Sequence, residues 1–214
     1  EKLDQEDIEA MEKGLPNLVK HIENVKKFGV PVVVAVNRFP TDTQDEIDFL
    51  DDFLEGLDVS HSVIEVYQKG GDGGTDLADK VVEQWEKGKK DFKHLYSLDE
   101  DPKEKIRRIG KEMYGAGEIV FTQRAERDLD RIKRIDAEDL AVCMAKTHSS
   151  LSDDDSLLGR PEGFDLNIRE IRVNSGAGFL IPMTGEIRTM PGLPAKPAAL
   201  DIDIDEDGNI SGYF

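Results

Sequence analysis

Residues 31–37 read Pro31-Val-Val-Val-Ala-Val-Asn37. A continuous β-branched run, opened by proline and closed by a polar residue, predicts a strand buried on both faces of a parallel sheet. Upstream, Leu15, Leu18, Val19, Ile22 and Val25 recur at helical spacing over 15–28, and Gly29 ends that helix. Downstream, Thr43 and Glu46 have the spacing of a capping box, which opens a helix bearing Ile47, Leu50 and Leu54. His61-Ser-Val-Ile-Glu-Val-Tyr67 reads as the second strand. Lys69-Gly-Gly-Asp-Gly-Gly74 reads as a loop, and Thr75 as the cap of a helix with Leu77, Val81 and Trp85 on one face. Helix, strand, helix, strand, helix is the order of an α/β sheet with parallel crossovers.

Beyond this unit the pattern becomes more helical. Asp101-Pro102-Lys103-Glu104 sets a cap, a proline at the first helical position and an acid in the first turn. Ile106, Ile109 and Met113 continue that helix, and Thr122 caps a charged one running to about residue 134. From residue 140 the segments 142–145, 167–174, 178–183 and 186–190 look extended. Asp201-Ile-Asp-Ile-Asp-Glu-Asp-Gly208 alternates acid and apolar residues, as an edge strand ending in a turn at Asp207-Gly208. These shifts divide the chain into an α/β unit (1–98), a helical segment (99–139) and a β-rich unit (140–214), with Cys143 in the core of the last.

The 214 residues suffice for one large or two small cores. The formal charge of −18, with 28 basic residues dispersed among 46 acidic ones, argues against a nucleic-acid partner. One cysteine excludes an intrachain disulfide framework and fits a reducing, cytoplasmic setting. No apolar run approaches a membrane span, and no signal peptide opens the chain. The chain starts at Glu1, within a helical pattern, and is expected to be part of a longer protein.

Ligands of open α/β sheets sit beyond the carboxyl ends of the strands. The first strand runs into Asn37-Arg38-Phe39-Pro40, the second into Tyr67 and the glycine-rich loop. An Asn there offers a donor and an acceptor to a purine edge. The alternative is an Asn that bonds only to backbone. Phe39 and Tyr67 share a rim if the strands are neighbours, and two such faces sandwich a flat heterocycle. The alternative is ordinary core packing. The loop Gly70–Gly74 precedes a helix but fits neither the Walker A pattern nor the dinucleotide fingerprint. Lys146-Thr147-His148-Ser149-Ser150 is read as a polar turn, because no third partner completes a Ser–His pair. His21, His61, His94 and His148 lack zinc-ligand spacing, and no metal ligands are assigned.

The blocks Gly14-Leu-Pro-Asn-Leu-Val-Lys-His-Ile-Glu-Asn24 and Val30-Pro-Val-Val-Val-Ala-Val-Asn-Arg-Phe-Pro-Thr-Asp-Thr43 resemble formate–tetrahydrofolate ligase. So do Lys69–Gly74, Val142-Cys-Met-Ala-Lys-Thr147, Ser150-Leu-Ser-Asp153, Leu158-Gly-Arg-Pro161, Gly176-Ala-Gly-Phe179 and Thr189-Met-Pro-Gly-Leu-Pro194. The blocks run in order over nearly the whole chain.

The resemblance implies ATP-dependent joining of formate to tetrahydrofolate through formyl phosphate, with Mg accompanying ATP. It implies that Phe39 and Tyr67 flank the pterin ring, with Val63 and Pro40 beside the same pocket. The family usually has Trp where this chain has Tyr67, and a larger aliphatic residue where it has Val63. Asn37 and Arg38 are the nucleotide-side candidates. No stretch matches Gly-x-x-x-x-Gly-Lys-Ser/Thr, so no catalytic residue is assigned. The resemblance places the phosphate loop, the formyl-phosphate residues and a monovalent-cation site upstream. The implied fold is a P-loop-NTPase-like domain without its P-loop part, followed by a smaller β-rich domain, in a homotetramer. The alternatives are a non-catalytic folate- or nucleotide-binding module and a separate subunit needing an N-terminal P-loop partner.

Overall fold

The computed structural model describes residues 5–88, 90–185 and 196–212. Helix α1 (Ile8–Lys26) begins earlier than residue 15, because the Asp7 carboxylate accepts the Ala10 N–H at 2.9 Å and caps it. Strand β1 (Val33–Asn37), helix α2 (Gln44–Gly56) and strand β2 (Ser60–Ile64) follow. Thr43 and Glu46 form the expected capping box. The strands are parallel neighbours, with Asn37 opposite Ile64. Ile22, Leu54 and Val59 centre the core beneath them, with Leu18, Val34 and Val36 packed against it.

Four expectations here change. Strand β1 is not buried on both faces: Ala35 and Asn37 are exposed, because this sheet has only two strands among the described residues. Strand β2 stops at Ile64, and Val66–Lys69 forms the short helix α3, followed by a 3-10 turn over Gly70–Gly74. Thr75 does not cap helix α4 (Thr75–Lys87). It is the first helical residue, and its hydroxyl donates to the Asp72 carbonyl at 3.2 Å. The face of α4 expected to be buried leaves Val81 and Trp85 exposed.

Helix α5 (Pro102–Ile109) is capped by Asp101 and passes into a π-turn over Gly110–Tyr114. A Cβ on Gly110 would sit 2.4 Å from Ile119 Cδ1, so a larger residue there would force the Ile119 side chain to shift. Strand β3 (Glu118–Phe121), helix α6 (Gln123–Arg134), strand β4 (Ala141–Val142), strand β5 (Asp165–Asn174) and strand β6 (Phe179–Thr184) complete this region. The four strands make one mixed sheet in the order β3-β5-β6-β4. Residues 99–139 and 140–185 therefore share a sheet and a core running from Ile106 through Leu129 and Ile132 to Leu166, Ile168 and Leu180. No packing boundary falls at 139/140.

The turn between β5 and β6 is the tight one expected at Gly176-Ala-Gly178, with both Ala177 and Gly178 donating to the Asn174 carbonyl. Gly178 takes φ +76°, which glycine allows at little cost. Cys143 is exposed, not buried. Its N–H still joins the ladder to Leu180 O. Because side chains alternate along a strand, burial of Val142 turns Cys143 to the uncovered face. Strands β7 (Asp203–Ile204) and β8 (Ile210–Ser211) form a separate hairpin. The expected strand at 186–190 and most of the 191–197 connector lie outside the described residues. Among the described residues no helix is long and apolar enough to cross a membrane.

Candidate functional site at the carboxyl rim of the parallel pair

Parallel pairing brings the carboxyl ends of β1 and β2 to one rim. The Arg38 N–H continues the ladder to Ile64 O at 3.0 Å, so the chain leaves both strands at the same level. A turn then follows β1: the Phe39 N–H donates to Asp42 Oδ2 at 2.7 Å, and the Asp42 N–H donates to Phe39 O at 3.1 Å. This turn feeds the Thr43 cap, so the position of Phe39 is tied to the start of α2.

After β2, the Glu65 N–H donates to Gly73 O at 3.0 Å and pins the glycine turn against the strand end. A Cβ on Gly73 would lie 2.5 Å from Glu65 O, so no other residue permits this approach. Glu65 pairs with Lys69 one helical turn on, and this hydrogen bond holds the Glu65 carboxyl below its usual range. Deeper in the strand, the buried Ser62 hydroxyl donates to Asp76 Oδ2 at 2.6 Å. That bond, with Lys80 beside it, lowers the Asp76 pKa and fastens α4 to β2.

Phe39 is 58% exposed and Tyr67 89%. Neither ring packs into a core. Pro40 is exposed, while Arg38 and Val63 are half-buried. Asn37 is exposed, and its side-chain amide has no hydrogen-bond partner among the described residues, so it does not bond only to backbone. It opens onto a cavity of about 420 Å³ lined by Leu18, Val34, Val36, Ile47 and Leu50, along β1 between α1 and α2. A larger cavity, about 760 Å³, lies away from the rim between Phe28, Tyr96, Ile109 and Val142, and its lining is mostly apolar, with His94 and Ser97 among it.

A sequence model described as formate–tetrahydrofolate ligase matches residues 1–214, the whole chain. The chain belongs to the formate–tetrahydrofolate ligase family. The family's activity is the ligation of formate and tetrahydrofolate at the expense of ATP, with Mg accompanying ATP.

Within this ligase-family chain, the sequence reading missed Glu65, Lys69 and Asp42. The spacing of Glu65 and Lys69 is that of a helical ion pair, a signal masked by reading 61–67 as one strand. The loop at 146–150 is a polar turn. His148 is exposed, Lys146 Nζ donates to Thr147 O at 2.8 Å, and Ser150 Oγ lies 2.9 Å from Ser152 Oγ. Among the described residues no three His, Cys, Asp or Glu side chains converge in a way that would hold a metal ion.

Proposed function

We propose that this chain supplies the folate side and the adenine side of a formate–tetrahydrofolate ligase site. Phe39 and Tyr67 stack on the two faces of the pterin ring, with Pro40 and Val63 bordering it, and Asn37 with Arg38 meets the nucleotide. The observation that carries this reading is the pair of exposed aromatic rings following the carboxyl ends of adjacent parallel strands. Stacking sets the plane of the heterocycle and removes water from both its faces. The free amide of Asn37 matches the donor–acceptor edge of adenine.

Phosphoryl transfer needs backbone amides and a lysine around the phosphates, and no stretch of this sequence has that pattern. We assign that role to a P-loop unit of the same enzyme, seated along β1. Two features support this. Parallel sheets are ordinarily covered on both faces, yet β1 has an exposed face. The apolar cavity beside β1 also offers Leu18, Val34, Val36 and Leu50 to an added element.

On this reading the 214-residue chain alone has no ligase activity, and adding the P-loop unit restores it. The test is formyltetrahydrofolate production by the pure chain, with and without that unit. Production by the chain alone would overturn the assignment. Tetrahydrofolate binding with no activity in the presence of the P-loop unit would support a non-catalytic binding module instead.

A further inference from the structure

We propose a second, small-anion site in the groove between α6 and β5, selective for a tetrahedral oxyanion of the phosphate class and independent of the folate reading. Between Ile168 and Glu170 the register of β5 against β6 shifts, leaving Arg169 without a partner. Thr122 takes up the slack: its N–H donates to Ile168 O at 3.0 Å, and its hydroxyl donates to Arg169 O at 2.6 Å. Thr122 is also the cap of α6, so the bulge and the helix are locked together.

The bulge carries Glu170 inward, leaving its side chain only 4% exposed. Burial pushes its carboxyl pKa up. The hydrogen bond from Arg172 and the charges of Arg124, Arg172 and Arg169 outweigh that and hold it ionised. Arg172 donates through both Nε and a terminal nitrogen, at 2.8 and 2.7 Å, and Arg124 reaches the other oxygen. Asp128 uses Oδ2 to accept the Ile171 N–H at 3.0 Å. Arg131 lines the same groove and makes no ion pair or side-chain hydrogen bond among the described residues.

Three guanidinium groups thus face two carboxylates, in a chain whose formal charge is −18. Each guanidinium has five N–H donors in a fixed fork. Glu170 uses only some of those on Arg124 and Arg172, and none on Arg131. The remaining donors line a concavity of about 260 Å³, sized for a small oxyanion. Forked guanidinium donors match the oxygens of phosphate, whereas chloride offers no such edge. Glu170 acts as the anchor that splays Arg124 and Arg172, and Arg131 is the residue with a full set of donors left.

The test is calorimetric titration of the full chain with inorganic phosphate, against chloride at matched ionic strength so that screening is constant. Arg131→Gln has no protein partner to lose, and Lys111→Gln makes the same charge change elsewhere on the surface. The expected result is saturable binding of one phosphate per chain, weakened roughly tenfold by Arg131→Gln, as for loss of one charge-assisted hydrogen bond. Lys111→Gln should leave it unchanged. Absence of saturable binding in the parent chain would overturn the site. So would equal affinity in Arg131→Gln, or equal weakening by Lys111→Gln, which would mean a diffuse field and no site.

Discussion

Arg160 holds Glu23 with two parallel hydrogen bonds, 2.9 and 2.8 Å long, across 137 residues of sequence. Glu23 lies on α1 and Arg160 in the loop before β5, so this fork joins the parallel pair to the mixed sheet. The seam around it is polar. Lys20 Nζ donates to Glu112 O at 2.9 Å, Asn24 Nδ2 to Met113 O at 2.8 Å and Asn17 Nδ2 to Gly159 O at 2.8 Å. Lys20 is buried, and that burial lowers its pKa.

The Arg160 hydrogen bond depresses the Glu23 pKa, and the same bond raises that of Arg160. A carboxyl depressed in the folded state contributes stability above its unfolded pKa, about 4.3, and loses it as pH falls through the folded value. The Glu23 side chain is 43% exposed, so solvent screening limits the effect. Glu23→Gln should therefore lower stability by about 1 kcal/mol or less at pH 7. The gap from the parent should close once both are measured below the depressed value. Urea unfolding at the two pH values checks this, and a gap that persists in acid would contradict it.

Tyr67→Ala should weaken tetrahydrofolate binding on the assembled enzyme by roughly tenfold to a hundredfold, as for loss of one stacking ring. ATP affinity should stay nearly unchanged. Because Tyr67 is 89% exposed, the substitution should shift stability by no more than about 0.5 kcal/mol. Tyr67→Trp should bind folate at least as tightly, given room beside the half-buried Val63. Paired folate and ATP titrations with a thermal melt separate these effects. Unchanged folate affinity would remove Tyr67 from the site.

Gly73→Ala tests the pinning of the glycine turn. The added methyl would sit 2.5 Å from Glu65 O, so the Glu65–Gly73 hydrogen bond must open. The expected outcome is weaker folate binding, through displacement of the segment bearing Tyr67, with the global fold retained. Gly71→Ala meets nothing within 4 Å and should be silent. Equal folate affinities for the two variants would show that the turn does not position the ring.

Cys143 should react with a thiol reagent in the native protein at a rate close to that of the unfolded chain, because its side chain lies on the uncovered face of the sheet. Mass measurement over a time course, with and without denaturant, reads the two rates. Strong native protection would mean that a further element covers that face in solution.

Much of the α/β organisation was legible in the residues. Helical spacing in Leu15, Leu18 and Ile22, the Thr43–Glu46 box and the β-branched run ending at Asn37 each act over a few residues, so local pattern suffices to read them. The same holds for the Asp101 and Thr122 caps and the turn at Gly176–Gly178. Local pattern failed where a neighbour decides the outcome. Val66 and Tyr67 favour strand by propensity, but the Glu65–Gly73 bond and the Glu65–Lys69 pair turn the chain into a helix. The basic residues look dispersed in sequence, yet the β5 bulge and α6 gather Arg124, Arg131 and Arg172 in one groove.

Apart from helix α3 and strand β3, the sequence by itself determined most of the helices and strands and the parallel crossover. These rest on contacts between residues close along the chain. Only the tertiary structure decided that residues 99–185 form one mixed sheet, that Cys143 faces outward and that Arg160 closes on Glu23. Burial and long-range pairing depend on which surfaces meet, and strand order and side-chain alternation set those meetings across separations that no local pattern spans.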